Sequence, residues 1–374
     1  MKRAHLFFAL AIAVFLAGVD SSFVSQGTVT AQAPASTRSL PAFEVDTTWP
    51  KLPPKYKLGD PSSFAIDAQD NVWVLHRPRT LLKPEDAKMA APPVVVFDTA
   101  GNFIKAWGGN GNGYQWPERE HGIHIDAKGF VWITGNNCPT NGIAGLKPVA
   151  DDQIVKFTQE GKFVLQIGRT SQSKGNADTQ NVHRAADVWL HAPTNEVFVA
   201  DGYGNDRLVV FDASSGAFKR MWGAFGNKPV DDDSCEVVTP KAFPAGSGPQ
   251  NFNIVHALRV SSDGMVYVAD RENRRVQVFT PQGKFVNQVI KTDTPFARNL
   301  ALSPDREQQF LYVGNGPEIT VVERKSLQIV GAIKPAGFTG AGHHLATDSK
   351  GNLYVAQTGM GMQKLAFKGM SGTR

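Results

Sequence analysis

One pattern recurs six times along the 374-residue chain, and it limits the fold more than any other feature of the sequence. Each copy opens on a short strand: "SSFAID" (62–67), "HGIHID" (121–126), "AADVWL" (185–190), "HALRVS" (256–261), "RNLALS" (298–303) and "HHLATD" (343–348). A turn leads to a second strand with an aromatic in most copies, "VWVL", "VWIT", "VFVA", "VYVA", "LYVG" and "LYVA". A loop then leads to a third, such as "VVVFD" (94–98) or "RVQVF" (275–279). Fourth strands follow in five copies, for example "FIKAWG" (103–108) and "FVNQVI" (285–290). Short runs rich in β-branched and aromatic residues, bounded by turn residues, read as antiparallel sheet. A four-strand unit repeating at roughly 40–70 residues reads as the blade of a propeller.

The expected fold is therefore all-β: one six-bladed β-propeller of four-stranded antiparallel blades. Six first strands against five fourth strands leave one strand missing. "FEVDTTW" (43–49) is the candidate to fill it, joining the last blade from the N-terminal side and removing two open sheet edges. Residues 34–374 are read as this single propeller, with residues 1–33 as a secretory signal peptide. Lys2 and Arg3 precede the apolar run "LFFALAIAVFLAGV" (6–19), and "AQA" (31–33) has the small-residue spacing of a cleavage site. The run is short of the ~20 residues that span a bilayer, and no later segment is long enough. The expectation is an exported monomer, periplasmic or extracellular, without stable membrane insertion.

The formal charge is +5, but the basic residues are dispersed rather than striped, which argues against nucleic acid as a partner. Only Cys138 and Cys235 are present, so a disulfide framework does not hold the fold; in an oxidising compartment the two could form one bridge. Insertions at 78–93, 135–152, 170–181 and 224–250 are placed on the face where first strands begin. "DDDSCE" (231–236) is read as a solvated acidic loop.

First strands line the channel of a propeller. Aligning them on Phe64, Ile123, Val188, Leu258, Leu300 and Leu345 exposes the residue two positions earlier: Ser62, His121, Ala186, His256, Arg298 and His343. Histidine falls on blades 2, 4 and 6 only, although the chain has just nine. Alternate blades of a six-fold ring stand about 120° apart, so three imidazoles should meet on the axis. Three such ligands with an open fourth position make a catalytic zinc site, and imidazole also suits copper, iron or nickel. His5, His76, His124, His183 and His191 share no such position, and His124 is read as a satisfied interior or surface residue.

The loop after each second strand opens above this ring. Arg271 follows "VYVAD" in blade 4, and Arg77 holds the matching offset in blade 1 after "VWVLH". Tyr203 follows "VFVADG" in blade 3. Two guanidiniums can clamp a carboxylate or a developing oxyanion, and a phenol beside a metal and two cations can serve as a base.

The repeated units resemble NHL repeats. More narrowly, "VFVADGYGNDRLVVF", "VYVADRENRRVQVF", "VHALRV" and "HGIHID", with "VLHR" and "GHHLATD", resemble the peptidyl-α-hydroxyglycine α-amidating lyases over most of residues 34–374. The resemblance implies a six-bladed propeller with zinc on His121, His256 and His343, a catalytic Tyr203 in "DGYGN", and active-site arginines at Arg77 and Arg271. It implies cleavage of the N–C bond of a carbinolamide, giving an amide and glyoxylate. It also brings a calcium site, but His344 stands where those lyases carry the calcium-binding aspartate. Ala341 and Gly342 occupy the stretch of their nearby methionine, and Gly204 replaces a cysteine. The chain has no room for the copper monooxygenase that makes hydroxyglycine, so the substrate is expected to be another α-hydroxy amide or an exported peptide hydroxylated elsewhere. The rival expectation is a non-catalytic propeller that binds a protein or ligand through its loop face. A lactonase-like hydrolase ranks last, because its channel would need carboxylates and asparagine where this chain has histidine.

Overall fold

A computed structural model describes residues 39–140, 142–231 and 248–371. The signal peptide read at 1–33, "DDDSCE" beyond Asp231, and Cys235 lie outside those residues. Six four-stranded antiparallel sheets make up the described chain, with almost no helix. The innermost strands are Asp60–Ile66, Glu120–Ile125, Asp187–His191, Val255–Val260, Asn299–Leu302 and His344–Thr347.

Burial follows the strand's place in the blade. Val72–Arg77 is buried at every residue, as are Val94–Phe97 and Gln153–Phe157, because neighbouring blades cover both faces of a middle strand. Such strands read as continuous apolar runs rather than alternating ones. Outer strands such as Phe163–Gly168 and Phe285–Ile290 are partly exposed and alternate more weakly.

The aromatic of the second strand has a local cause. Asp67 ends the first strand of blade 1 and accepts the backbone N–H groups of Gln69 and Asn71, both at 2.9 Å, along with Trp73 Nε1–H at 2.9 Å. Asp126 does the same for Lys128, Phe130 and Trp132 Nε1. Asp348 does so for Lys350, Asn352 and the Tyr354 hydroxyl. One carboxylate thus closes the turn and satisfies the polar tip of a buried aromatic, a group that is costly to bury unpaired.

The N-terminal strand closes the ring as expected, but over Leu40–Asp46 rather than 43–49. It pairs antiparallel with Gly361–Ser371, with Phe43 opposite Phe367 and Val45 opposite Leu365. Asp46 ends it by accepting Thr48 N–H (3.0 Å) and Thr48 Oγ1–H (2.7 Å) in an Asx turn, which lifts the chain out of the ladder. Trp49 then turns inward to pack on Phe64, Phe97 and Tyr354.

Two of the insertions brace the strands beside them. Asp151, from 135–152, accepts the N–H groups of Glu118 and Arg119 where blade 2 begins. Asn176, Asp178 and Asn181, from 170–181, offer their carbonyls to Arg207 at the start of a third strand. Cys138 is disulfide-bonded, and the chain's other cysteine is Cys235.

Candidate metal centre

The ring positions are set by breaks in the inner ladder. Register slips between Pro61 and Ser63, between Glu120 and Ile123, and between Val255 and Ala257, leaving Ser62, His121 and His256 outside the pairing. A bulge of this kind re-aims a side chain. His343 reaches the same level by standing immediately before strand His344–Thr347. Gly122 makes the bulge of blade 2 affordable in space: a Cβ there would lie 2.6 Å from the Ala186 carbonyl oxygen and 2.8 Å from Thr134 Oγ1.

The three imidazoles meet. Ring centroids of His121 and His343 are 4.5 Å apart, and each is 4.9 Å from His256. Their candidate ligand nitrogens all lie within 4.8 Å of one another, and all three residues are buried. Each Nδ1–H donates at 2.7 Å to a backbone carbonyl of the next odd blade: His121 to Ala186, His256 to Arg298, His343 to Ser62. Those acceptors are the ring-position residues of blades 3, 5 and 1. The bond fixes the tautomer and leaves each Nε2 lone pair for the axis, the arrangement that metal-ligating histidines favour. Burial first, and then the neighbouring imidazoles and arginines, hold all three well below the usual histidine range and therefore neutral. Three neutral, converging imidazoles fit a zinc ion.

Tyr203 stands over two of them, its hydroxyl 3.2 Å from His121 Nε2 and 3.1 Å from His256 Nε2. Arg271 Nη1–H donates to the same hydroxyl at 3.0 Å, while its Nε–H donates to Glu272 at 2.6 Å. Arg77 ends the second strand of blade 1, buried, with Nε–H donating to the Glu120 carbonyl at 2.8 Å. Burial and then the charge of Arg119 pull it down to about 10. Its charge acts on His121 and His343. All six residues singled out in the sequence are therefore brought to one end of the channel.

The loops that carry Tyr203 and Arg271 share one scaffold. Asp201 accepts His183 N–H, Asn205 Nδ2–H and Arg207 Nε–H. Asp270 accepts Asn253 N–H, Asn273 Nδ2–H and Arg275 Nε–H. Both Asp–Arg pairs are fully buried. The charge of "ADRENRR" is thus divided: Asp270 and Arg275 hold the loop, and Arg271 faces the axis. Gly204 is required because a Cβ there would clash with the His183 ring; a larger side chain, cysteine included, has no space.

Two expectations change. His124 is buried and stacks against Trp189 at 4.5 Å, but its Nε2 has no hydrogen-bond partner, so it is not satisfied. Burial pushes it down to about 4, which keeps the ring neutral. The calcium site does not fit this chain. Below the triad, Arg259 crosses the channel and donates to Asp187 Oδ2 (2.7 Å), to the carbonyls of Leu258 (2.5 Å) and Leu345 (3.1 Å), and meets His344 Nε2 at 3.0 Å. Asp187, the carboxylate beside His344, is thus already paired with a guanidinium, which repels a second cation. Burial opposes the Asp187 charge, but Arg259, His344 and the Leu258 N–H together outweigh it and hold the carboxyl down at about 2. Among the described residues the histidine triad is the only metal-ready cluster. Arg119 and Arg298 also face the triad and carried no role in the sequence reading, although the channel alignment had placed Arg298 on the ring.

Comparison with known proteins agrees with this geometry. Residues 252–279 match the NHL repeat family. Peptidyl-glycine alpha-amidating monooxygenase B of Xenopus laevis is 29% identical over 290 residues, covering 73% of this chain and 28% of that protein. The probable peptidyl-alpha-hydroxyglycine alpha-amidating lyase pgal-1 of Caenorhabditis elegans is 28% identical over 177 residues, 47% of this chain and 41% of that protein. This chain is a relative of the α-hydroxyglycine α-amidating lyases. The lyase relatives are not its sole kin: NHL repeat-containing protein 3 of Mus musculus is 27% identical over 245 residues, 64% of this chain and 57% of that protein. The chain spans between 27% and 57% of the length of these first curated relatives.

Proposed function

We propose that the protein is an exported zinc-dependent lyase that cleaves the N–C bond of a peptidyl-α-hydroxyglycine-like carbinolamide into an amide and glyoxylate. The observation that carries this reading is the Tyr203 hydroxyl held 3.2 and 3.1 Å from two Nε2 atoms of a neutral three-histidine cluster. A bound zinc would supply Lewis acidity at the substrate oxygen. Tyr203 takes the proton of the substrate hydroxyl as the carbon–oxygen double bond forms. The carbon–nitrogen pair leaves with the amide nitrogen, and Tyr203 returns a proton to it, so that atoms and charge balance. Arg271 donates a hydrogen bond to the phenol oxygen and orients it over the two imidazoles. With Arg77 it supplies the positive field for the substrate carboxylate. Beside Arg77 lies a cavity of about 330 Å³ whose lining mixes Leu82, Ile143 and Leu146 with Arg79, Glu118 and Arg119.

The test is turnover of N-benzoyl-α-hydroxyglycine by the purified protein, read as glyoxylate released, with elemental analysis of the same sample. One zinc per chain and glyoxylate release that chelation abolishes are expected. The similarity to NHL repeat-containing protein 3 favours the rival, a binding propeller. Metal-free, inactive protein would favour that rival and reject the lyase.

A further inference from the structure

Viewed down the axis, His121, His256 and His343 divide the ring into three sectors, and each sector belongs to an odd blade. Blade 3 fills the sector between His121 and His256 with Tyr203, whose hydroxyl touches both rings. Blade 1 fills the sector between His343 and His121 with Arg77, whose charge acts on both. The remaining sector, between His256 and His343, belongs to blade 5. Its ring-position residue is Arg298, whose carbonyl accepts His256 Nδ1–H and whose charge acts on both flanking imidazoles.

Arg298 is half-buried; its Nε is shielded from solvent and has no hydrogen-bond partner, and no carboxylate pairs with it among the described residues. By contrast Arg207 and Arg275 pair with aspartates, Arg259 with Asp187 and Arg271 with Glu272. A shielded N–H without an acceptor is costly, and an anion bound beside it would complete it. The nearest carboxylate, Glu272, is bonded to Arg271.

We propose that Arg298 binds the substrate carboxylate, holding it with Arg77 on the His343 side of the axis, opposite Tyr203. This rests on the lyase reading and narrows it. The preferred substrate is an α-hydroxy amide whose hydroxyl-bearing carbon carries a free carboxylate, and uncharged carbinolamides are turned over with a higher KM. Tyr203 and Arg271 are then left to the proton, and the two halves of the substrate are set on opposite sides of the metal centre.

Three proteins test this: wild type, Arg298→Gln and Arg298→Lys, each with zinc content and thermal midpoint measured first. With N-benzoyl-α-hydroxyglycine, Arg298→Gln should raise KM by about 10- to 100-fold, the range of a lost charge-assisted contact, with a much smaller fall in kcat. Arg298→Lys should restore part of it. With the methyl ester of the same compound, turnover read as benzamide released should differ between wild type and Arg298→Gln by less than about twofold. An equal effect on acid and ester, or none on either, overturns the proposal. Binding of hippurate, which keeps the carboxylate but lacks the hydroxyl, is measured by calorimetry in parallel. If wild type releases no glyoxylate, the lyase reading fails; hippurate affinity then decides the anion site alone. A loss of about tenfold or more in Arg298→Gln sustains it, and unchanged affinity overturns it.

Discussion

A single phenol concentrates the chemistry of the site. Tyr203 meets two imidazoles and a guanidinium through one oxygen. Tyr203→Phe removes that oxygen but leaves the ring, over which the Arg271 guanidinium also sits at 5.4 Å, and the histidines in place. A positioned acid–base group contributes about 10²- to 10⁴-fold, so kcat for glyoxylate release should fall by that order while zinc stoichiometry stays at the wild-type value. Loss of zinc together with activity would show instead that Tyr203 acts by holding the metal centre. The triad was legible at this scale because three of nine histidines share one repeat position. The unpartnered Nε–H of Arg298 was not, because no pattern in a sequence reports which donor lacks a partner.

At the scale of the element, the "DGYGN" loop shows how a strand–loop unit aims a side chain. Gly204 lies against His183, and His183 Nδ1 is 2.6 Å from Asp152 Oδ1. Gly204→Ala should therefore destabilise the protein by about 1–3 kcal/mol, the cost of forced overpacking, and lower activity further than stability, because the displaced loop carries Tyr203. Paired thermal melts and glyoxylate assays check both. The His183 contact also has a pH signature. Burial and Arg184 oppose its charge, but the hydrogen bond and charge of Asp152, helped by Asp201, win and raise it above 6.5. A raised folded-state value means the contribution is fully present below about pH 6.5 and is lost as pH rises through the folded value. The midpoint gap between wild type and His183→Gln should be widest near pH 6 and close by pH 9. A gap independent of pH would show that packing, not the ion pair, is responsible.

At the scale of the whole molecule, the ring is tied twice. The outer tie is the N-terminal strand, Leu40–Asp46, paired with the last blade. The inner tie is the Arg259 guanidinium, which joins Asp187 of blade 3 to Leu345 and His344 of blade 6 across the channel. Removing one partner of a buried pair costs about 3–5 kcal/mol, whereas replacing both with apolar groups is often neutral. Arg259→Met should therefore lower the midpoint strongly, and adding Asp187→Leu should recover much of the loss. Because Arg259 already occupies the Asp187 carboxylate beside His344, added calcium should leave the wild-type midpoint unchanged. A calcium-dependent rise would show that a cation competes with the guanidinium.

The sequence by itself determined the architecture, the number of blades and the convergence of His121, His256 and His343, because all three follow from period. An antiparallel blade repeats in chain order, and a ring of six such blades turns equal positions into equal angles. Period also placed Arg77, Tyr203 and Arg271 at one face. Only the tertiary structure decided which of these groups touch. The shift of the closing strand to Leu40–Asp46, the unpartnered His124 Nε2, the Arg259–Asp187 pair across the channel and the unpartnered Nε–H of Arg298 all depend on residues distant in sequence. A repeat fixes where each side chain stands within its own blade; what it meets across the channel is settled by packing among blades, which no single period encodes.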